Sequence, residues 1–238
     1  MLLAAGRGTR LASLTPDRPK PMLPIGGRPL IEHTVRQLAL AGVREVMINL
    51  HQHGHAVESH FGSGAAFGIR IHYSHEPQPL GTAGGIRKCH DFLADGPFLV
   101  VYGDNLTTCR LDRLAAHHER HGGLGTIALY WRDDVSAHSA VDIEADTLIV
   151  GFIEKPRRDE AASHWISAGV ILFEPAVLER IPHAVPCDLG FDVFPRLLAD
   201  GERLFGYYMT GDEGLWWIDT PDQYARTSSV WRDGFPIR

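Results

Sequence analysis

Short apolar runs alternate with helix-period segments along most of the 238-residue chain, and this alternation predicts an α/β fold. Two further observations shape that expectation. The chain opens with an apolar strand, Leu2-Leu3-Ala4-Ala5, that runs straight into a glycine-bearing loop. In the second half, two apolar runs flank the turn-like Glu144-Ala145-Asp146, which suggests a small antiparallel hairpin. No repeat, low-complexity stretch or Gly/Ser linker interrupts the pattern. The expected architecture is therefore a single Rossmann-like three-layer domain over residues 1–238, with a mixed, mainly parallel sheet and helices on its faces.

The elements follow in order. After the first loop, Pro29 stands where helices often start, and residues 30–41 carry helical periodicity closed by Gly42. Residues 46–50 read as a buried strand, 56–61 as a short helix and 69–74 as the next strand. A helix is predicted over 82–92, followed by the strongly apolar strand Phe98-Leu99-Val100-Val101-Tyr102. Residues 111–121 are the next helix and 126–131 the next strand. The hairpin strands are 140–143 and 148–153, and 166–173 is another strand. Helices are predicted at 175–181 and 191–199, strands at 204–209 and 215–219, and a last helix from Pro221.

Composition excludes several classes. A formal net charge of -6 with no basic stripe argues against a general nucleic-acid binder. No apolar run approaches the roughly 20 residues of a membrane span, and the N-terminus lacks signal-peptide character. Cys89, Cys109 and Cys187 are few and widely spaced, as expected of a reducing cytoplasm, without a disulfide framework or zinc site. Among 14 histidines, His51, His53 and His55 alternate, and His117 and His121 sit four apart. With no HExxH pattern, these are expected to occupy a loop and a solvated helix face, not a metal site.

The chemistry gathers at loops after apolar runs. Gly6 and Gly8 let backbone N–H groups approach an anion, while Arg10 and Lys20 add the positive charge a triphosphate needs. The dinucleotide fingerprint is excluded because Leu11 stands at its third glycine, and no P-loop spacing occurs. Asp104 directly follows the strand ending at Tyr102, and Asp219 follows Leu215-Trp216-Trp217-Ile218. Strand-end carboxylates of this kind suit Mg²⁺ bridging phosphates. Glu154-Lys155-Pro156 ends another strand, where the Lys155 ammonium could meet a second phosphate. Gly81, Gly84 and Gly85 crowd a helix start, where a ring or phosphate could lie against the backbone.

Together these residues resemble the sugar-1-phosphate nucleotidylyltransferase family over nearly the whole chain. The motifs are Leu3-Ala4-Ala5-Gly6-x-Gly8-Thr9-Arg10-Leu11 with Lys20-Pro21, then Pro79-Leu80-Gly81-Thr82-Ala83-Gly84, Gly103-Asp104, Glu154-Lys155-Pro156 and Trp217-Ile218-Asp219. The resemblance implies transfer of a nucleoside monophosphate from an NTP to a sugar 1-phosphate, releasing pyrophosphate. It implies that Ala5, Gly6, Gly8, Thr9 and Arg10 hold the triphosphate, and that Glu76, Gly81 and Thr82 complete the nucleotide site. Asp104 and Asp219 would ligate Mg²⁺, and Lys20 and Lys155 would contact phosphates. Asn105, Glu154, Lys155, Ser167 and Gly169 would line the sugar-phosphate pocket. The catalytic set is then Arg10, Lys20, Asp104 and Lys155.

Three positions depart from the family pattern. Ala140 replaces a frequent glycine, Ser167 a frequent asparagine, and Asp219-Thr220-Pro221 is shorter than the usual Asp-x-Gly-Thr-Pro. All fall on the acceptor half, which points to an unusual sugar or a sugar-like cyclitol. Glu76 stands where thymidylyl and uridylyl relatives often have glutamine. A carboxylate offers only acceptors, which suits the N1–H and N2–H₂ donors of guanine, so GTP is the first choice. UTP, dTTP or CTP with another acceptor remains the alternative, and a non-catalytic sugar-nucleotide-binding subunit is a reading from another class. Arg10, Lys20 and both aspartates are retained, which favours the enzyme. A homo-oligomer stays open.

Overall fold

The structure, a computed structural model, describes residues 1–6, 8–11, 13–157 and 160–231, so Arg7 of the glycine loop lies outside the described residues. The chain begins with β1 (Leu2–Leu3), β2 (Pro24–Ile25), β3 (Arg28–Pro29), α1 (Leu30–Leu40), β4 (Glu45–Leu50), α2 (Gly54–Phe61) and β5 (Arg70–His75). There follow α3 (Thr82–Lys88), α4 (His90–Leu93), β6 (Phe98–Tyr102), β7 (Asn105–Thr107), α5 (Leu111–His121) and β8 (Gly125–Trp131). The remainder is β9 (Ser139–Ile143), β10 (Ile149–Glu154), β11 (Trp165–Phe173), α6 (Phe194–Ala199), β12 (Leu204–Tyr208), β13 (Leu215–Trp217) and α7 (Pro221–Val230). This is the α/β fold that the alternation of apolar and helix-period segments predicts.

The chain divides into two compact units. The first comprises Met1–Pro79, Tyr102–Thr108 and Leu215–Arg238; the second comprises Leu80–Val101 and Cys109–Gly214.

In the first unit β1, β4 and β5 pair in parallel, with Leu2 opposite Ile48 and Ile48 opposite Tyr73. Helix α1 buries Leu30, Ile31, Val35 and Leu38. Burying each such side chain contributes roughly 1.5–3 kcal/mol. A cluster of Leu11, Leu23, Ile25, Leu30, Leu106, Ile218 and Trp231 ties the glycine loop, β7 and both ends of α7 together. The Trp231 indole N–H donates to His33 Nδ1 at 3.3 Å, and His33 Nε2 meets the Ile25 carbonyl at 2.9 Å. Burial holds His33 below the usual histidine value, consistent with this neutral tautomer.

In the second unit β11 is the hub, antiparallel to β6, β8 and β9. The predicted hairpin is β9–β10, antiparallel as expected, and β12 joins β8 in parallel. The β11–β8 register shifts between Ser167 and Ile171.

Several local expectations change. The helix predicted over 82–92 breaks at Cys89, whose φ of -98° and ψ of 21° separate α3 from α4. Residues 175–180 form only a 3₁₀ turn, and the helix predicted from 191 begins as a π turn at Leu189 before α6. The two-residue strands β2 and β3 and the three-residue β7 are too short for hydrophobic periodicity to signal, while the strand predicted over 215–219 forms as β13. His117 and His121 lie on a half-buried face, not a fully solvated one. Their rings stack at 4.1 Å and contact Tyr207 and Phe205, while His118 is buried against Thr126 and Glu174.

Candidate active site

In the first unit Arg10, Lys20, Asp104 and Asp219, four of the residues expected to serve phosphate and metal, converge. Pro19 and Pro21 frame a 3₁₀ turn at Lys20–Met22, closed by Met22 N–H donating to the Pro19 carbonyl at 2.8 Å. That turn aims Lys20 inward, where its side chain is only 6% exposed. Its Nζ donates to Asp104 Oδ2 and to Asp219 Oδ1, each at 2.9 Å. Burial opposes the charge on Lys20, but the two carboxylates outweigh it and hold the ammonium above the usual lysine value. Arg10 Nη2 approaches the same Asp219 oxygen at 3.2 Å, with most of its side chain exposed.

Local structure explains each position. Gly8 adopts φ +58°, and a Cβ there would sit 3.1 Å from Lys20 Cβ, so the loop turns tightly over the lysine. Leu11 N–H donates to the Gly8 carbonyl at 2.9 Å, forming the turn that carries Thr9 and Arg10. Asp104 lies between β6 and β7, and Gly103 N–H donates to the Leu3 carbonyl at 2.8 Å. Asp219 is positioned by a capping box on α7. Thr220 accepts from Gln223 N–H at 3.2 Å, and Gln223 Oε1 accepts from the Asp219 and Thr220 amides. The Thr-Pro-x-Gln sequence that makes this cap is legible without a structure.

The donor set is oxygen-only, which suits a hard cation such as Mg²⁺ with one or two carboxylates. Among the described residues no group of three or more His, Cys, Asp or Glu gathers to hold a metal. A cation held by Asp104 and Asp219 would therefore complete its shell with water and substrate phosphate oxygens. Asn105, adjacent to Asp104, carries a buried side-chain oxygen with no hydrogen-bond partner, another acceptor of the same character.

Glu76 is almost fully buried. Asn49 donates to its Oε1 at 2.8 Å while accepting from Ala4 N–H at 2.7 Å, and His51 Nδ1 meets the Glu76 carbonyl at 2.8 Å. Sequence reasoning missed Asn49, which links the strand before the glycine loop to the expected base reader. Its signal was a polar residue near the carboxyl end of an apolar strand.

Of the residues expected at the sugar phosphate, Glu154, Lys155, Ser167 and Gly169 lie in the second unit and Asn105 in the first. Glu154, 14% exposed, ends β10 opposite Ser139 of β9, whose hydroxyl donates to Glu154 Oε2. Lys155 has φ +51°, and its amide donates to the His138 carbonyl at 2.9 Å. Its Nζ lies 3.7 Å from Glu154 Oε1 and 5.5 Å from the centre of the exposed Phe191 ring. Gly169, φ +71°, occupies the irregular stretch of β11 beside Ser167, whose Oγ lies 3.4 Å from its amide.

The helix start at Gly81 packs against a second segment of the chain. The Ala83 and Gly84 amides both donate to the Cys187 carbonyl, at 3.0 and 3.1 Å. Gly81 has φ +80°, and a Cβ there would sit 2.2 Å from that carbonyl. The glycine is required by close backbone approach. Thr82 likewise donates to Asp188 Oδ2 at 2.9 Å and accepts from Leu189 N–H at 2.7 Å, fixing the segment that carries Gly190 and Phe191.

Comparison with known proteins places the chain. The nucleotidyl transferase family model matches residues 1–233. A mannose-1-phosphate guanylyltransferase of Mycobacterium tuberculosis is 34% identical over 232 residues, covering 96% of this chain and 63% of that protein. A UTP–glucose-1-phosphate uridylyltransferase of Synechocystis is 34% identical over 246 residues, covering 97% and 62%. The chain thus spans somewhat under two thirds of the length of these curated relatives. Among solved structures, HddC from Yersinia pseudotuberculosis shares the fold with a TM-score of 0.81 at 22% identity, covering 97% of this chain and 98% of that one. Because the family model matches residues 1–233 of the 238, the chain belongs to the nucleotidyl transferase family.

Proposed function

We propose that this protein is a sugar-1-phosphate nucleotidylyltransferase that uses GTP and a mannose- or heptose-like 1-phosphate, forming an NDP-sugar and pyrophosphate. The observation that carries the reading is the buried Lys20 ammonium shared by Asp104 and Asp219, with Arg10 beside it. The acceptor's phosphate oxygen is ionised near neutral pH, so the reaction needs no general base. That oxygen attacks the α-phosphorus in line, the bond from the α-phosphorus to the bridging oxygen breaks, and pyrophosphate leaves. Arg10 and Lys20 neutralise triphosphate charge, Lys155 holds the acceptor phosphate, and Glu154 accepts from a sugar hydroxyl. Mg²⁺, when held by Asp104 and Asp219, adds charge neutralisation at the phosphates.

Guanine as the base is supported by Glu76 and by the name of the Mycobacterium tuberculosis relative. The Synechocystis relative, equally identical, favours a second reading with UTP and glucose 1-phosphate. The test is pyrophosphate release with Mg²⁺, crossing GTP, UTP, dTTP, CTP and ATP against mannose, glucose and heptose 1-phosphates. Release with GTP and a mannose- or heptose-type acceptor is expected. Release with UTP or dTTP alone keeps the reaction but discards Glu76 as a guanine reader. Folded protein that binds a nucleotide without turnover on any pair refutes the proposal in favour of a sugar-nucleotide-binding subunit.

A further inference from the structure

Glu154 is held by more than its place on β10. The Ser139 hydroxyl donates to Oε2 from the paired residue of β9. The backbone at Gly190 runs beside the same oxygen, leaving no room for a side chain: a Cβ there would sit 2.5 Å from it. Asp188 holds that backbone in place by accepting from Gly190 N–H at 2.9 Å while receiving the Thr82 hydroxyl at 2.9 Å. The other oxygen, Oε1, faces the Lys155 ammonium at 3.7 Å, beyond which stands the exposed Phe191 ring. The two oxygens of one carboxylate are thus unequal. Oε2 is committed to protein and screened by Gly190, whereas Oε1 lies beside the cation assigned to the acceptor phosphate.

A carboxylate with both oxygens available can accept from two vicinal hydroxyls at once, and its hold then depends on their relative configuration. One whose second oxygen accepts from a protein donor on one side and meets backbone on the other offers the substrate only its first oxygen, and from one direction. We propose that Ser139 is a specificity-determining positioning residue: with the Gly190 backbone closing the other side of Oε2, its hydroxyl fixes the carboxylate so that Glu154 meets the acceptor through Oε1 alone. This rests on the sugar-1-phosphate reading and deepens it. The acceptor class is a sugar or cyclitol phosphate recognised by one correctly directed hydroxyl, with discrimination between epimers at that carbon set by the Ser139–Glu154 contact. Removing the hydroxyl frees the carboxylate to rotate and bridge either arrangement, so discrimination falls.

The experiment compares wild type, Ser139→Ala and Ser139→Thr by pyrophosphate release, with mannose and glucose 1-phosphates as an epimeric pair. For Ser139→Ala, the ratio of the two kcat/KM values is expected to shrink at least about fivefold, mainly through sugar-phosphate KM. The KM for the nucleotide and kcat on the preferred acceptor should change less than about twofold. Ser139→Thr, which keeps the hydroxyl, should restore the wild-type ratio. An unchanged ratio in Ser139→Ala, or equal loss in the threonine variant, overturns the role of Ser139 while leaving the reaction intact. If wild type turns over no pair, the functional reading falls instead. Calorimetric titration of both sugar phosphates into wild type and Ser139→Ala then decides the inference, and equal affinity ratios overturn it.

Discussion

Replacing Lys20 with methionine, of similar length but uncharged, tests whether the buried ammonium is what allows Asp104 and Asp219 to share one site. Each contact at 2.9 Å represents about 6 kcal/mol of attraction at an effective dielectric near 20. Desolvation of the ammonium, several kcal/mol, cancels much of this. Asp104 is 40% and Asp219 20% exposed, so water screens the carboxylates after the lysine is lost, and Arg10 still neighbours Asp219. The expected loss is therefore about 2 kcal/mol, below the 3–5 kcal/mol typical of a broken fully buried pair. For a chain of this size that lowers the melting midpoint by roughly 4–8 °C. Mg²⁺ should stabilise the variant more than wild type. In wild type the ammonium competes for the carboxylates, while in Lys20→Met a cation at ten times its dissociation constant restores about 1.4 kcal/mol. Because the folded-state value of Lys20 lies above its unfolded value, its contribution is complete below about pH 10 and is lost only as pH rises through the folded value. Melts at pH 7 and 9 should give the same difference between wild type and variant. Calorimetric or circular-dichroism melts with and without Mg²⁺ measure all of this. A variant as stable as wild type, or equal Mg²⁺ stabilisation of both, refutes the reasoning.

Four further outcomes follow from the geometry. Asp104→Asn and Arg10→Ala should retain the fold by circular dichroism yet lower pyrophosphate release at least about a hundredfold; near-normal rates in both would remove them from the site. Gly81→Ala, forced against the Cys187 carbonyl at positive φ, should cost about 2–5 kcal/mol in denaturant unfolding. Thr220→Ala, which opens the capping box beside Asp219, should cost about 1 kcal/mol and also slow turnover. Burial, with the neighbouring charges of His121, Arg120 and His118, lowers His117 to about 4. Its neutral form is thus favoured by folding, and the stability it contributes above pH 6.5 is lost as pH falls toward 4. The melting midpoint should fall between pH 7 and 5, and His117→Gln should flatten that fall.

Long elements with strong periodicity were readable because burial alone imposes their pattern. Helix α1 with its apolar face, strand β6 and the β9–β10 hairpin are of this kind. The short strands β2, β3 and β7 were not, since two or three residues carry no period. The break at Cys89 and the π turn at Leu189 escaped for another reason: tertiary packing overrides local helical preference there. At the site, Arg10, Lys20, Asp104 and Asp219 were identifiable from charge placed after apolar strands. Asn49 and Ser139 were not, because a lone polar residue in a strand gives no sign of which distant carboxylate it will meet.

Residue order and type determined the α/β class, the family motifs and the identity of the charged groups, because periodicity and glycine-plus-charge spacing are properties of neighbouring residues. Only the folded chain decided that Lys20 binds both carboxylates, that Gly81 admits Cys187 and that Ser139 holds one oxygen of Glu154. Each of those contacts joins residues well separated in sequence. Their partners are chosen by strand register and backbone approach, which exist only once the hydrophobic core has set the elements in place.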